Sequence, residues 1–378
     1  MTPAPHRRTA LVLSGGGARG AYQVGVLRGL VEQGFLAPGR AGIDVFVGSS
    51  AGAINSAALA AHADDLAAGV ERLERVWSTI HAGQVYRTDV ASLGRIGLRW
   101  AWDLSFGGAM RHVQPKSLLD TTPLRALLAE HVPLARIPQR VADGTLGALA
   151  LVATDLHTSN GVIFLAAPPQ TPGWTRRRWR IERTGIGVEH LLASSAIPIF
   201  FPSVAIDGRH YGDGSIRNTA PLSPAINLGA ERIIAIGVSG PQPLVASPGP
   251  LEAPTVAEIA GVLLDAVMLD AIEVDVEHSE RVNASVLSVH DAGAANGFRP
   301  IDVLWLRPSV FVRQLASELS DRIPAVVRYL LRGLGSDTAV TELASYLLFD
   351  TAFCSRLIEL GRRDVAADRD RIAAFFAR

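Results

Sequence analysis

Apolar positions in the first sixty residues follow two alternating rhythms. Thr9–Ser14 (TALVLS) is a short apolar run that ends in glycines, the mark of a strand buried on both faces. Ala21–Phe35 follows, with Val24, Leu27, Leu30 and Val31 at three- and four-residue spacing, which predicts a helix ending near Gly34. Ile43–Val47 predicts a second strand, and the alanine-rich Ala51–Ala61 a second helix. Strand, glycine turn and helix, repeated twice, imply a parallel sheet with right-handed crossovers.

Residues 63–140 read as mostly helical, with loops around Gly107–Gly108 and Pro115. Leu146–Thr154 is another continuous apolar run and predicts a buried strand. Gly161–Leu165 pairs with it across a turn at Thr158–Gly161. The Pro- and Arg-rich residues 166–180 read as an exposed excursion, and Glu189–Ser195 as a helix. Ser203–Tyr211 fits a hairpin turning at Asp207–Gly208. Arg232–Val238 is a further core strand. Five prolines in residues 241–255 mark a linker or surface loop. Beyond it the pattern predicts a long amphipathic helix over Val256–Ala284, a strand at Val303–Leu306, and largely helical structure over 309–378.

Composition narrows the function classes. Of 378 residues, 48% are hydrophobic and 19% charged, so a large buried core is affordable and global disorder is excluded. Lys+Arg and Asp+Glu balance at 36 each, which argues against a nucleic-acid partner. A single cysteine, Cys354, rules out an intrachain disulfide and argues against a cysteine-based metal site. The short apolar run after the N-terminal arginines is too brief for a signal segment or a membrane span. The expectation is a cytoplasmic protein, with any membrane contact peripheral.

Two glycine-rich turns carry the candidate chemistry. Gly48–Ser49–Ser50–Ala51–Gly52 lies between a strand and a helix in the Gly-x-Ser-x-Gly pattern of a nucleophile elbow. Ser50 is its central residue; Ser49 lies one position off and should face away. Gly48 and Gly52 allow the close approach of helix and strand, and the central residue takes a strained backbone. Alone, the motif also fits a plain turn of small residues. Ser14–Gly20 (SGGGARG) likewise follows a strand and opens a helix. The N–H groups of Gly15, Gly16 and Gly17 would form an oxyanion hole, with Arg19 adding positive charge or bracing the loop. The same loop accepts a dinucleotide-binding frame on Gly15, Gly17 and Gly20, with only Glu32 or Asp44 as the ribose-binding acid. A Ser–acid–His order would favour His278 or His290, with His210 nearer the middle, yet no turn presents any of them. Asp213, wedged between Gly212 and Gly214, stands on a sharp turn after a strand, although an ordinary Asp-Gly hairpin fits as well.

Taken in order, these motifs resemble the patatin-like phospholipase family. Gly15–Gly20 matches its oxyanion-hole block and Gly48–Gly52 its nucleophile block. Ala193–Ser194–Ser195–Ala196–Ile197–Pro198 matches a further block beside the site. Asp213–Gly214–Ser215 stands where the family carries Asp-Gly-Gly or Asp-Gly-Ala, serine being a departure. Asn218–Leu222 and the late stretch Ser345–Asp364 also look like family segments. The resemblance implies a three-layer α/β/α fold with a largely parallel sheet and a mostly helical C-terminal region. The core would span 1–240, the Pro-rich linker 241–255, and the helical region 256–378 would pack on the core. It implies a serine acyl hydrolase with a Ser50–Asp213 dyad, no cofactor or metal, and a lipid or acyl-ester substrate. The alternative is a nucleotide- or phosphate-binding module built on Ser14–Gly20. Trp174–Arg180, where arginines and tryptophans interleave, suits an anionic membrane surface but reads first as a solvated loop.

Overall fold

The structure is a computed structural model describing residues 7–36, 42–87, 117–241, 271–288, 298–325 and 345–377, with 259, 262, 266, 327 and 328 besides. The loops expected at Gly107–Gly108 and Pro115, nearly all of the Pro-rich 241–255 and His290 lie outside these residues.

The N-terminal rhythm builds what it predicts. Strand β1 (Thr9–Leu13) leads through a short 3-10 turn into helix α1 (Ala21–Glu32). Strand β2 (Val45–Ser49), two residues later than its predicted span, leads into α2 (Ala51–Ala60). Helices α3 (Leu66–Thr79) and α4 (Thr122–His131) follow, then β3 (Ala148–Asp155) and its antiparallel partner β4 (Asn160–Ala166). Helix α5 (Val188–Ser194) precedes the hairpin β6 (Val204–Ile206) and β7 (Arg209–Asp213). Asp207 and Gly208, both at positive φ, form its two-residue turn. Strand β8 is Arg232–Ile236.

One strand was concealed in the sequence. The excursion expected to run to residue 180 stops short, because Trp179–Arg183 forms β5, parallel to β4. Its arginines mask it; an edge strand tolerates charge because its free side faces water. The Trp179 ring lies where a Cβ on Gly161 would stand, which accounts for that glycine.

Among the described residues nine strands, the last being β9 (Asp302–Leu306), form one sheet in the order β5-β4-β3-β2-β1-β8-β9, with the β6–β7 hairpin joined to β3. Strand β9 (Asp302–Leu306) runs parallel to β8, so the chain beyond 256 contributes to the central sheet itself. Side chains alternate across it. Leu11, Leu13, Phe46 and Leu151 face a core shared with α1, α2 and α3; Ala10, Val12, Val47 and Ala150 face a second core. Helix α6 (Ala271–Ser288) closes that second face through Ile272 and Val276. It runs four residues past its predicted end, and its predicted start lies outside the described residues. No helix among the described residues is long and apolar enough to cross a membrane.

Helix α7 (Thr351–Ala367) crosses α1 at backbone distance. A Cβ on Gly25 would strike the carbonyl of Ile358, one on Gly361 the α1 backbone at Tyr22 and Val26, and one on Gly29 the Val365 side chain. Overpacking costs about 1–3 kcal/mol, whereas alanine's helix propensity over glycine returns only about 1 kcal/mol. Gly25→Ala should therefore destabilise by about 1–2 kcal/mol, read as a lower urea midpoint at unchanged slope. An unchanged midpoint would mean the crossing is loose.

Candidate active site

The site forms where β2 runs out before β3 does. The last β2–β3 rung pairs Ser49 with Val152. One step further along β3, Ala153 pairs instead with Asp213 at the end of antiparallel β7. Strand β3 thus changes partner at the point where β2 bends away into α2, and Asp213 arrives beside the bend.

Ser50 occupies that bend at φ 55°, ψ −128°, and heads α2. Such a conformation costs on the order of 1–3 kcal/mol, so its surroundings must hold it. A Cβ on Gly48 would strike the first turn of α2, and one on Gly52 the carbonyls of Leu13 and Ser14. The Ser50 amide donates to Ser194 Oγ at 3.1 Å, and Ser194 donates to the Val152 carbonyl at 2.6 Å. Ser49 turns the other way, its hydroxyl 3.0 Å from that of Ser215.

Asp213 is wholly buried. Its backbone is pinned by bonds to Ala196 and Thr154, and its Oδ1 accepts the Ser215 amide at 2.8 Å. Burial pushes its carboxyl up to about 6, against the opposing pull of the Ser50 hydroxyl and Ser215. Ser50 lies close enough for its hydroxyl to act on the Asp213 carboxyl, yet Ser50 Oγ and Asp213 Oδ2 are both buried without a hydrogen-bond partner. Serine in place of glycine or alanine at 215 keeps the turn and supplies the hydroxyl that Ser49 engages.

The glycine loop reaches the same place. Gly16 and Gly17 sit at φ 154° and 56°. Among the described residues, the amides of Gly15, Gly16 and Gly17 donate to no acceptor. A Cβ on Gly17 would strike the carbonyl of Tyr346. The Arg19 guanidinium donates to Ser345 Oγ at 3.0 and 2.6 Å and lies 4.3 Å over the Tyr346 ring. Of the two roles weighed for Arg19, this is the bracing one.

A buried polar chain ties the loop to the elbow helix. Gln23 donates to the Ser14 carbonyl at 2.8 Å. Asn55 donates to Gln23 Oε1 at 2.9 Å and to the Gly20 carbonyl, and receives the Trp77 indole N–H. Gln23, Asn55 and Trp77 were not anticipated, whereas Ser194 belongs to the block expected beside the site. The signal was present: Gln23 and Asn55 are polar at core positions of otherwise apolar helices, where only a bonded side chain is affordable.

The two described candidate histidines lie elsewhere. His210 bonds Ser203 at 3.1 Å, and His278 is exposed on α6, across the sheet from α2. Both acids needed by the dinucleotide frame are engaged away from the loop. Asp44 accepts the Thr9 amide at the opposite end of β1, and Glu32 pairs with Arg28 and Arg362. No cluster of three or more His, Cys, Asp or Glu among the described residues could hold a metal ion.

Ser50 and Gly17 open onto an apolar cleft. Helices α2, α3 and α4 wall it, and Phe349 also lines it.

The sequence profile of the patatin-like phospholipase family matches residues 11–226, more than half of the chain. The chain belongs to the patatin-like phospholipase family. Among relatives of this patatin-like chain is the patatin-like phospholipase domain-containing protein ZK370.4 of Caenorhabditis elegans, 27% identical over 60% of the chain and 13% of the relative. Another is YjjU of Escherichia coli, 25% identical over 62% of the chain and 53% of the relative. The chain thus spans about half of one and far less of the other. Solved structures with similarity include VipD from Legionella pneumophila (12% identity, TM-score 0.35, 94% of this chain and 67% of that one). Human GIVD cytosolic phospholipase A2, solved with a fluorophosphonate, is 11% identical at TM-score 0.37, over 98% and 60%.

Because ionising Asp213 is disfavoured by burial, the folded state loses stability as pH rises from the unfolded carboxyl value of 3.8 through about 6. Asp213→Asn removes that penalty and keeps an acceptor for the Ser215 amide. It should be more stable than the parent by about 1–3 kcal/mol at pH 8, with the gain vanishing below pH 4. A melting-temperature comparison at the two pH values checks this; a gain independent of pH would contradict it.

Proposed function

We propose that this patatin-like protein is a serine acyl-ester hydrolase of lipid esters, with Ser50 as nucleophile and Asp213 as general base. The observation that carries the reading is the pair of buried oxygens without a hydrogen-bond partner, Ser50 Oγ and Asp213 Oδ2, with Ser50 lining an apolar cleft. Burying such atoms unpaired costs about 1–3 kcal/mol each, a cost that structure alone does not offset and that a substrate would.

Ser50 Oγ attacks the ester carbonyl carbon as its proton passes to Asp213. The carbonyl oxygen gains the negative charge, which the free amides of Gly15–Gly17 stabilise. The tetrahedral adduct collapses, the ester C–O bond breaks, and the leaving alkoxide takes the proton from Asp213. Water then attacks the acyl-serine, giving its proton to Asp213, and the fatty acid leaves as Ser50 recovers its hydrogen. A free aspartate is a weak base, about 3.9 against about 6.5 for imidazole. Burial narrows that gap to within about a unit, so a carboxylate can do the work usually given to histidine. The rest falls to the oxyanion donors, each commonly worth about 3 kcal/mol. Lipid esters lie in membranes or micelles, and contact there would be peripheral. The lone buried cysteine suits a cytoplasmic setting.

Ser50→Ala and Asp213→Ala should each lower turnover of a p-nitrophenyl ester by about a thousandfold or more, with the circular dichroism spectrum retained. A fluorophosphonate should label Ser50. Ser49→Ala inactivating the protein while Ser50→Ala does not would reject the assignment. For the parent, kcat/KM should fall below an apparent pKa near 6, since the base must be ionised. An acid limb near 3.8 would mean that burial does not tune Asp213.

A further inference from the structure

A second pair of serines lies under the turn that carries Asp213. The hydroxyls of Ser49, at the end of β2, and of Ser215 are 3.0 Å apart, and both residues are buried. Among the described residues, Ser215 is the one hydrogen-bond partner of the Ser49 hydroxyl. The turn is packed tightly onto the pair. A Cβ on Gly214 would stand 3.0 Å from Ser49 Oγ and would strike the carbonyl of Val152, the rung partner of Ser49. Ser215 meets Asp213 in two ways. Its amide donates to Oδ1 at 2.8 Å, and its hydroxyl lies close enough to act on the same carboxyl. Ser49 therefore reaches the aspartate through Ser215.

We infer that Ser215 is a positioning residue for Asp213: its hydroxyl, oriented by Ser49, turns its proton toward the ionised carboxylate and keeps that group ready to receive the proton of Ser50. The inference rests on the hydrolase reading for what the base does, but not for how the hydroxyls respond to its charge. Each hydroxyl has one proton to donate and lone pairs to accept with. When Ser49 donates to Ser215, the Ser215 proton is free for Asp213; when Ser215 donates to Ser49, Asp213 loses it. Negative charge on Asp213 selects the first orientation, because a hydrogen bond to an ionised acceptor is about twice as strong as a neutral one. Protonation of Asp213 removes that bias. The pair thus works against burial, which favours the neutral carboxyl.

The charged groups of the surrounding elements are engaged elsewhere. Asp155, farther along β3, accepts from Arg209 and from the His157 and Thr158 amides. On β7, His210 bonds Ser203 and the Tyr211 hydroxyl accepts from Arg180. On α5, Glu189 pairs with Arg125, and His190 accepts the Gly187 amide. Arg217, after the turn, donates to the Ser159 carbonyl, and Arg19 donates to Ser345. Helix α2 carries no titratable group before His62, which lies past its end and bonds the Ala58 carbonyl. The serine hydroxyls are what remains to steady the charge.

The test reads the carboxyl in two ways, on the full chain. In the pH profile of kcat/KM for a p-nitrophenyl ester, Ser215→Ala should move the acid limb up by about half a pH unit or more. Its loss relative to the parent should then be about threefold greater at pH 5 than at pH 8.5. In thermal melts, the fall in melting temperature from pH 4 to pH 8 should be larger in Ser215→Ala than in the parent. A carboxyl held higher in the folded state gives up more stability as it ionises. That excess should vanish in the Asp213→Asn background. Ser215→Thr, which keeps the hydroxyl, should restore the parent's behaviour in both readouts. Ser49→Ala leaves the turn itself intact, so it carries the test if the Ser215 variants do not fold. It should shift both readouts the same way by a smaller amount, and add nothing to Ser215→Ala. Melts that respond in this way while no ester is cleaved would sink the hydrolase reading and leave the positioning role standing. A Ser215→Ala loss equal at every pH, with the parent's melt difference, would mean that the hydroxyl only packs the turn and would overturn the inference. An unmoved melt difference in folded Ser49→Ala would overturn it equally.

Discussion

The change of partner along β3 is the constraint on which the site depends. A parallel strand pair would ordinarily continue to its common end. Here β2 stops at Ser49, and β3 goes on for three more residues that pair with the antiparallel β7. Residues 50 and 213 are thereby set on adjacent rungs, although the chain separates them by the whole middle of the domain. A sheet fixes such neighbours more rigidly than loops would, because each rung is held by backbone hydrogen bonds on both sides. Displacing β7 by a single residue would exchange Asp213 for Gly212 and turn the carboxylate to the opposite face.

The local strain follows from that arrangement. Ser50 adopts a backbone conformation that residues with side chains avoid, and its hydroxyl and the facing carboxylate oxygen are both left unpaired. The compensation is spread around them. Ser194 holds the Ser50 amide, Ser215 holds one carboxylate oxygen, and the Ser14–Gln23–Asn55–Trp77 chain fixes the glycine loop against α2. All of these bonds lie in the interior, where a satisfied polar network is rigid and an interrupted one is costly.

Much of this was legible in the residues. Period-four and continuous apolar runs placed β1, α1, α2, β3, β8 and β9, because both faces of a central strand and one face of a covering helix must be apolar. Short glycine-bounded motifs pointed to Ser50, Asp213 and the Gly15–Gly17 loop through sterics. The strand Trp179–Arg183 escaped because an edge strand carries no such apolar signature. Gln23 and Asn55 were passed over because their value lies in partners distant in sequence. The close crossing of α1 and α7, through Gly25 and Gly361, is a contact between sequence positions over three hundred apart, and nothing local announces it.

The glycine loop leans on the far end of the polypeptide. Gly17 abuts the Tyr346 carbonyl, Arg19 clasps Ser345, and the Tyr86 hydroxyl donates to the Leu347 carbonyl at 2.7 Å. During synthesis, the wall that shapes this loop emerges from the ribosome more than three hundred residues after the loop itself. Until then the strained turn at Ser50 and the glycine loop exist without the segment that braces them, so their final geometry waits on the last part of the chain to be made.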